Sequence, residues 1–178
     1  SDREVCCGAA RQFPIVDASC SGVGAAIFSV MARSVLAGTS VADLECGNTR
    51  ETVRREFLFG TFQSAPPVRD MNSLPYPDFD DFFAEFNATG FRGAWKARIF
   101  FETSRGCWWG EKKHCTFCGL NGQTMEFRSK SGARALEELT FLVRRHPGCE
   151  VQVVDNILDM KYFTDFLPAL ARRKLGVE

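Results

Sequence analysis

The chain has 178 residues, 45% of them hydrophobic, which suffices for one sizeable domain or two small ones with buried cores. Lysine plus arginine and aspartate plus glutamate balance at 22 each, so no basic field points to nucleic acid and no acidic run to a solvating tail; a small molecule or a peptide is the easier partner. No apolar run approaches the roughly 20 residues of a membrane span, and the opening "SDREVCCGAARQ" lacks the basic-then-apolar order of a signal peptide.

A cytoplasmic address is the resulting expectation. In that compartment eight cysteines do not read as a disulfide framework, and a tight cluster of them reads as metal or thiol chemistry. Cys6, Cys7, Cys20, Cys46 and Cys149 are scattered and read as small core or surface residues. Cys107, Cys115 and Cys118 cluster.

Along the chain, "FPIVDA" (13–18) reads as a short buried strand, and residues 25–37 carry Ile27, Val30, Met31 and Val35 at helical spacing up to Gly38. The turn between them offers Gly22 and Gly24 as a phosphate cradle, although a lone GxG more often serves only a tight turn. A polar helix is expected over 46–60, with Val53, Phe57 and Leu58 as its apolar stripe. Four prolines then fall between 66 and 77, which marks a linker lying extended and anchored by Leu74, Tyr76 and Phe79, followed by a short helix in "FDDFFAEF".

The second half is more regular. "KARIFFETS" (96–104) is a β-rich run, the cysteine loop follows, and Ser131 opens a helix with Leu136, Leu139, Leu142 and Val143 on one face. "EVQVVDNIL" (150–158) is a second strand, and "MKYFTDFLPALARRK" a second helix with Pro168 as a kink. Strand, loop, helix, strand, helix is two turns of parallel α/β architecture.

The loop "RGCWWGEKKHCTFCG" places three thiols within twelve residues, as CxxxxxxxCxxC. Thiolates are soft ligands that select zinc, copper(I) or an iron–sulfur cluster. A structural zinc needs four protein ligands, and the nearby candidate for the fourth is His114. A four-iron cluster held by three cysteines instead leaves one iron open to a non-protein ligand. Trp108 and Trp109 read first as packing, Lys112 and Lys113 as a solvated tip, Glu102 as solvent-facing, Arg105 as a charge for an anionic cofactor, and His146 as a helix-end residue.

This loop resembles that of radical S-adenosylmethionine enzymes, whose three-cysteine loop follows the first strand of a (β/α)6 partial barrel. Most use CxxxCxxC; the seven-residue first gap here resembles a subgroup with a longer loop. "SLPYPDFDDFF", "FFETSRGCWWGEKKHCTFCGLNG", "FRSKS" and "VVDNILDMKYF" together resemble the cobalamin-binding-domain members that mature ribosomally made peptides. The resemblance covers about residues 66–175.

It implies that Cys107, Cys115 and Cys118 ligate a 4Fe-4S cluster, and that S-adenosylmethionine chelates the fourth iron and is cleaved to a 5′-deoxyadenosyl radical. Phe117 would lie near the adenine, Gly119 would be a further cofactor-binding residue, and Asp155 and Asn156 would lie near the methionine or substrate. The implied reaction is C-methylation or a related change of a precursor peptide, with flavodoxin or ferredoxin as electron donor and cobalamin as a further cofactor. The DxHxxG signature whose histidine binds cobalt is not in this sequence. The implied domains are the tail of a Rossmann-like cobalamin-binding domain (1–63), a linker (64–95) and the first two βα units of the radical domain (96–178). A six-unit barrel does not fit in that length, so a fragment, half of a split protein completed by another polypeptide, or an inactive remnant is expected. The alternative of another class is a zinc-stabilised binding module using His114.

Overall fold

In the computed structural model, residues 2–20, 24–40, 43, 48–49, 67–90, 94–119, 125–173 and 175 are described. The chain is mixed α/β and divides between Arg69 and Asp70 into two compact units.

The first unit holds α1 (Asp2–Gln12), β1 (Ala18–Ser19), α2 (Gly24–Leu36) and β2 (Asn48–Thr49). The strands pair antiparallel, Ala18 opposite Thr49, and α1 lies against both. α2 forms where the apolar spacing places it and buries Ile27. The strand expected over 13–18 shrinks to Ala18–Ser19. The Phe13 N–H bonds back to the Ala9 carbonyl at 3.0 Å and the Val16 N–H to Phe13 at 3.1 Å, while Pro14 has no N–H to extend either helix or ladder. Phe13 and Ile15 are therefore exposed. The helix expected over 46–60 lies outside the described residues except for Asn48 and Thr49, which are strand; Gly22 lies outside them too.

The second unit is built on a parallel pair, β3 (Arg98–Phe101) and β6 (Glu150–Val153), with Ile99 opposite Val151. Between them come β4 (Ser104–Arg105), the loop helix α4 (Trp108–Lys112), β5 (Arg128–Ser129) and α5 (Gly132–Arg145); α3 (Asp80–Ala88) precedes and α6 (Phe166–Arg173) follows. The strand, loop, helix, strand, helix order and the parallel pairing are those the periodicity implies.

β3 alternates, sending Ile99 and Phe101 inward and Arg98 and Phe100 outward, the period-two signature of a half-covered strand. α5 answers with Ala135, Leu136, Leu139 and Leu142, a stripe at helical spacing. With Tyr162 and Phe166 they form one buried cluster, each large side chain contributing about 1.5–3 kcal/mol by burial. The Ser131 hydroxyl accepts the Arg134 N–H at 3.2 Å and so caps α5 as its position suggests.

Two segments differ from expectation. The run 160–174 is not one kinked helix: a 3-10 turn at Met160–Phe163 precedes α6, and Pro168 sits in the first turn of α6, where a missing N–H costs nothing. The stretch expected as linker is docked from Asp70 onward. Asn72 Oδ1 accepts the Ser131 N–H at 2.8 Å, the Leu74 carbonyl accepts from Arg134, the Arg134 guanidinium lies 3.9 Å over the Tyr76 ring, and Asp80 pairs with Arg145. The prolines prevent helix but leave these side chains free to anchor along α5. No helix among the described residues is long and apolar enough to cross a membrane.

Candidate metal centre

The cysteine loop leaves the C-terminal end of β3 and returns through a bonded neck. β4 and β5 pair antiparallel, Ser104 with Ser129 and Arg105 with Arg128. The Lys130 N–H bonds to the Thr103 carbonyl at 2.8 Å and the Cys107 N–H to Met125 at 3.1 Å, while the Glu111 carboxylate accepts the Phe127 N–H. The chain leaving at Gly106 and the chain returning at Met125–Phe127 are thus held together at the neck.

Gly106 makes the exit turn possible. Its φ is +81°, and a Cβ there would run into the carbonyls of Met125 and Glu126.

Within the loop the three cysteines take two separate local roles. Cys107 is the N-cap of α4, its sulfur accepting the Gly110 N–H at 3.3 Å. Cys115 and Cys118 end one turn, closed by the Cys118 N–H on the Cys115 carbonyl at 3.1 Å. All three are half-buried thiols. Among the described residues, no group of three or more His, Cys, Asp or Glu side chains converges to hold a metal. The donors therefore fit a soft metal or an iron–sulfur cluster in kind, but as they stand they do not fit one in position.

The other residues singled out from the sequence are spread around this loop. Phe117 is 89% exposed, and Gly119 and His114 are exposed. Trp108 is packing: its Nε1–H donates to the Leu158 carbonyl at 3.0 Å and ties the loop to the chain after β6. Trp109 is half-exposed at the loop surface. Arg105 is already neutralised, its Nε and a terminal nitrogen each 2.7 Å from the two Glu102 oxygens.

Asp155 is turned toward β3. Its Oδ1 accepts the N–H groups of Thr103 at 2.7 Å and Ser104 at 3.0 Å, and its Oδ2 the Thr103 hydroxyl. Asn156 beside it is exposed. The structure thus gives Asp155 a positioning task at the mouth of the loop.

Beneath the neck lies a buried polar layer that the sequence reading missed. Lys130 Nζ lies 2.7 and 2.9 Å from the two oxygens of Glu138 and 2.6 Å from the Glu102 carbonyl, and both side chains are buried. The Tyr162 hydroxyl donates to the Lys130 carbonyl at 2.7 Å, and burial pushes its pKa up to about 12. One signal was available: Glu138 falls three residues after Ala135 and four before Leu142, inside the apolar stripe, where a charge requires a partner.

A cleft of about 430 Å³ lies at the opposite, N-terminal end of the strand pair, lined by Phe83, Trp95, Lys96, His146 and Cys149 among others and by none of the loop residues. His146 there is the C-cap of α5, stacked on Phe83 at 4.2 Å.

No protein-family model matches the sequence, no curated protein is significantly similar to it, and no solved structure matches it significantly.

Proposed function

We propose that this chain carries the cluster-binding part of a radical S-adenosylmethionine enzyme that modifies a ribosomally made peptide. The observation that carries the reading is a loop with three half-buried thiols, leaving the C-terminal end of a parallel strand through a bonded neck. That is the end of parallel strands where βα loops gather reactive groups.

The group such a loop would hold supplies one-electron reductive cleavage of S-adenosylmethionine. The chain's own residues do the rest. Gly106 and the β4–β5 bridge fix where the loop starts and ends, Asp155 holds the end of β3, and Trp108 anchors the loop to Leu158. Cys107, Cys115 and Cys118 would be the residues that hold the group, with its binding free energy coupled to the ordering of the loop. The exposed Trp109 and Phe117 then provide apolar cover that excludes water. The peptide substrate, a flavodoxin- or ferredoxin-type donor, a cytoplasmic address and a C-methylation outcome with cobalamin belong to the same proposal through the sequence resemblance.

Anaerobic reconstitution with iron and sulfide tests it. A brown protein with about four irons and four sulfides per chain, lost in each of Cys107→Ser, Cys115→Ser and Cys118→Ser, is expected. A colourless protein holding one zinc that is lost in His114→Ala would overturn the reading and favour the zinc module.

A further inference from the structure

Away from the loop, two thiols meet in the first unit. Cys6, on α1, donates its Sγ–H to the backbone carbonyl of Cys20 at 3.3 Å, fourteen positions along the chain. In return the Ser19 hydroxyl donates to the Cys6 carbonyl at 3.1 Å. Two bonds running in opposite directions hold residue 6 against residues 19 and 20.

Both cysteines are half-buried thiols, so a small reagent reaches them while the surrounding packing keeps them in place. The carbonyl that Cys6 touches belongs to the residue bearing the second thiol. Sulfur-to-sulfur contact then calls for rotation of the side chains from this arrangement. Cys7, the next residue on α1, is turned by about 100° around the helix axis and serves as an internal control.

We infer that Cys6 and Cys20 are an oxidisable pair, which closes to an intramolecular disulfide by exchange with a small disulfide such as oxidised glutathione. The thiolate of one cysteine attacks a sulfur of glutathione disulfide, whose S–S bond breaks and releases one glutathione as the thiolate, which takes up the proton the cysteine gave. The second cysteine then attacks the protein sulfur of the mixed disulfide and releases the second glutathione in the same way. The protein loses two electrons and two protons, and the glutathione disulfide gains both. The product pins α1 to β1 and removes freedom from the N-terminal helix.

The test is to incubate the full chain with oxidised glutathione, then digest it with trypsin without reductant and weigh the peptides. Cleavage after Arg3, Arg11 and Arg33 gives one cysteine-pair peptide (4–11) and one single-cysteine peptide (12–33). The expected product is these two joined, about 2 Da below the sum of their masses and free of glutathione. It should persist in Cys7→Ser, whereas Cys6→Ser and Cys20→Ser should leave a glutathione adduct of about 305 Da on the remaining partner. Glutathione adducts on both Cys6 and Cys20 of the unaltered protein, a link through Cys7, or two unmodified thiols would each overturn the inference. Fragmenting the joined peptide of the unaltered chain between residues 6 and 7 assigns the link to Cys6 or Cys7 and keeps the test decisive even where a serine variant fails to fold.

Discussion

Asp155 holds Thr103 twice, its Oδ1 accepting the backbone N–H at 2.7 Å and its Oδ2 the side-chain hydroxyl. The same Oδ1 takes the Ser104 N–H at 3.0 Å. One carboxylate at the end of β6 thereby satisfies the backbone at the end of β3, just before the cysteine loop departs. Thr103 and Ser104 are both buried, so these donors have no water to fall back on.

Asp155→Ala should then cost about 2 kcal/mol or more, the penalty of leaving buried donors unmade. Asp155→Asn keeps an acceptor for the two N–H groups and should cost about half as much. Urea unfolding of the second unit measures both. Equal stability of the alanine variant and the unaltered protein would show that the contact is dispensable.

The Lys130–Glu138 pair should behave as a buried charge pair. Removing one partner is expected to destabilise by about 3–5 kcal/mol in Glu138→Leu, which leaves Lys130 uncompensated inside, and by less in Lys130→Met, where Arg134 still lies 3.5 Å from Glu138. The double variant Lys130→Met with Glu138→Leu should lose far less than the sum. A double-mutant cycle by chemical denaturation reads this directly, and additive losses would refute it.

Gly106→Ala should disrupt the loop selectively. Its backbone sits at φ +81° with the Met125 and Glu126 carbonyls in the way of any Cβ, whereas a Cβ on Gly119 meets nothing within 4 Å. Hydrogen exchange over 104–129 is expected to rise in Gly106→Ala and to stay unchanged in Gly119→Ala. Iron retained on reconstitution should fall in the first and hold in the second.

Tyr162 gives a pH signature of defined sign. An unfolded tyrosine ionises near pH 10, while burial holds this hydroxyl protonated up to about 12. Below pH 10 both states are neutral and the contribution is complete. From 10 to 12 the unfolded chain loses its proton and the folded one keeps it, so stability falls as pH rises through that window. Tyr162→Phe lacks this fall. Its deficit relative to the unaltered protein should narrow between pH 10 and 12 in denaturation curves, and a constant gap would contradict the buried, protonated hydroxyl.

What the sequence determined by itself is what depends on neighbours along the chain. The Ser131 cap, the Leu136, Leu139 and Leu142 stripe, α2, and a strand before and after the cysteine loop all follow from local spacing and capping chemistry. The three thiols were legible for the same reason, since their clustering is a fact of spacing.

Tertiary structure alone decided everything that depends on residues brought together across the fold. It recruited the proline-rich stretch onto α5 through Asn72, Leu74 and Asp80, which no local propensity encodes. It turned Asp155 toward Thr103, fifty-two positions away, and closed a buried ion pair across β5 and α5. It also gave Cys107 to a helix cap and Cys115 and Cys118 to a separate turn, because the Gly110 N–H on the Cys107 sulfur and the Cys118 N–H on the Cys115 carbonyl each satisfy backbone groups locally.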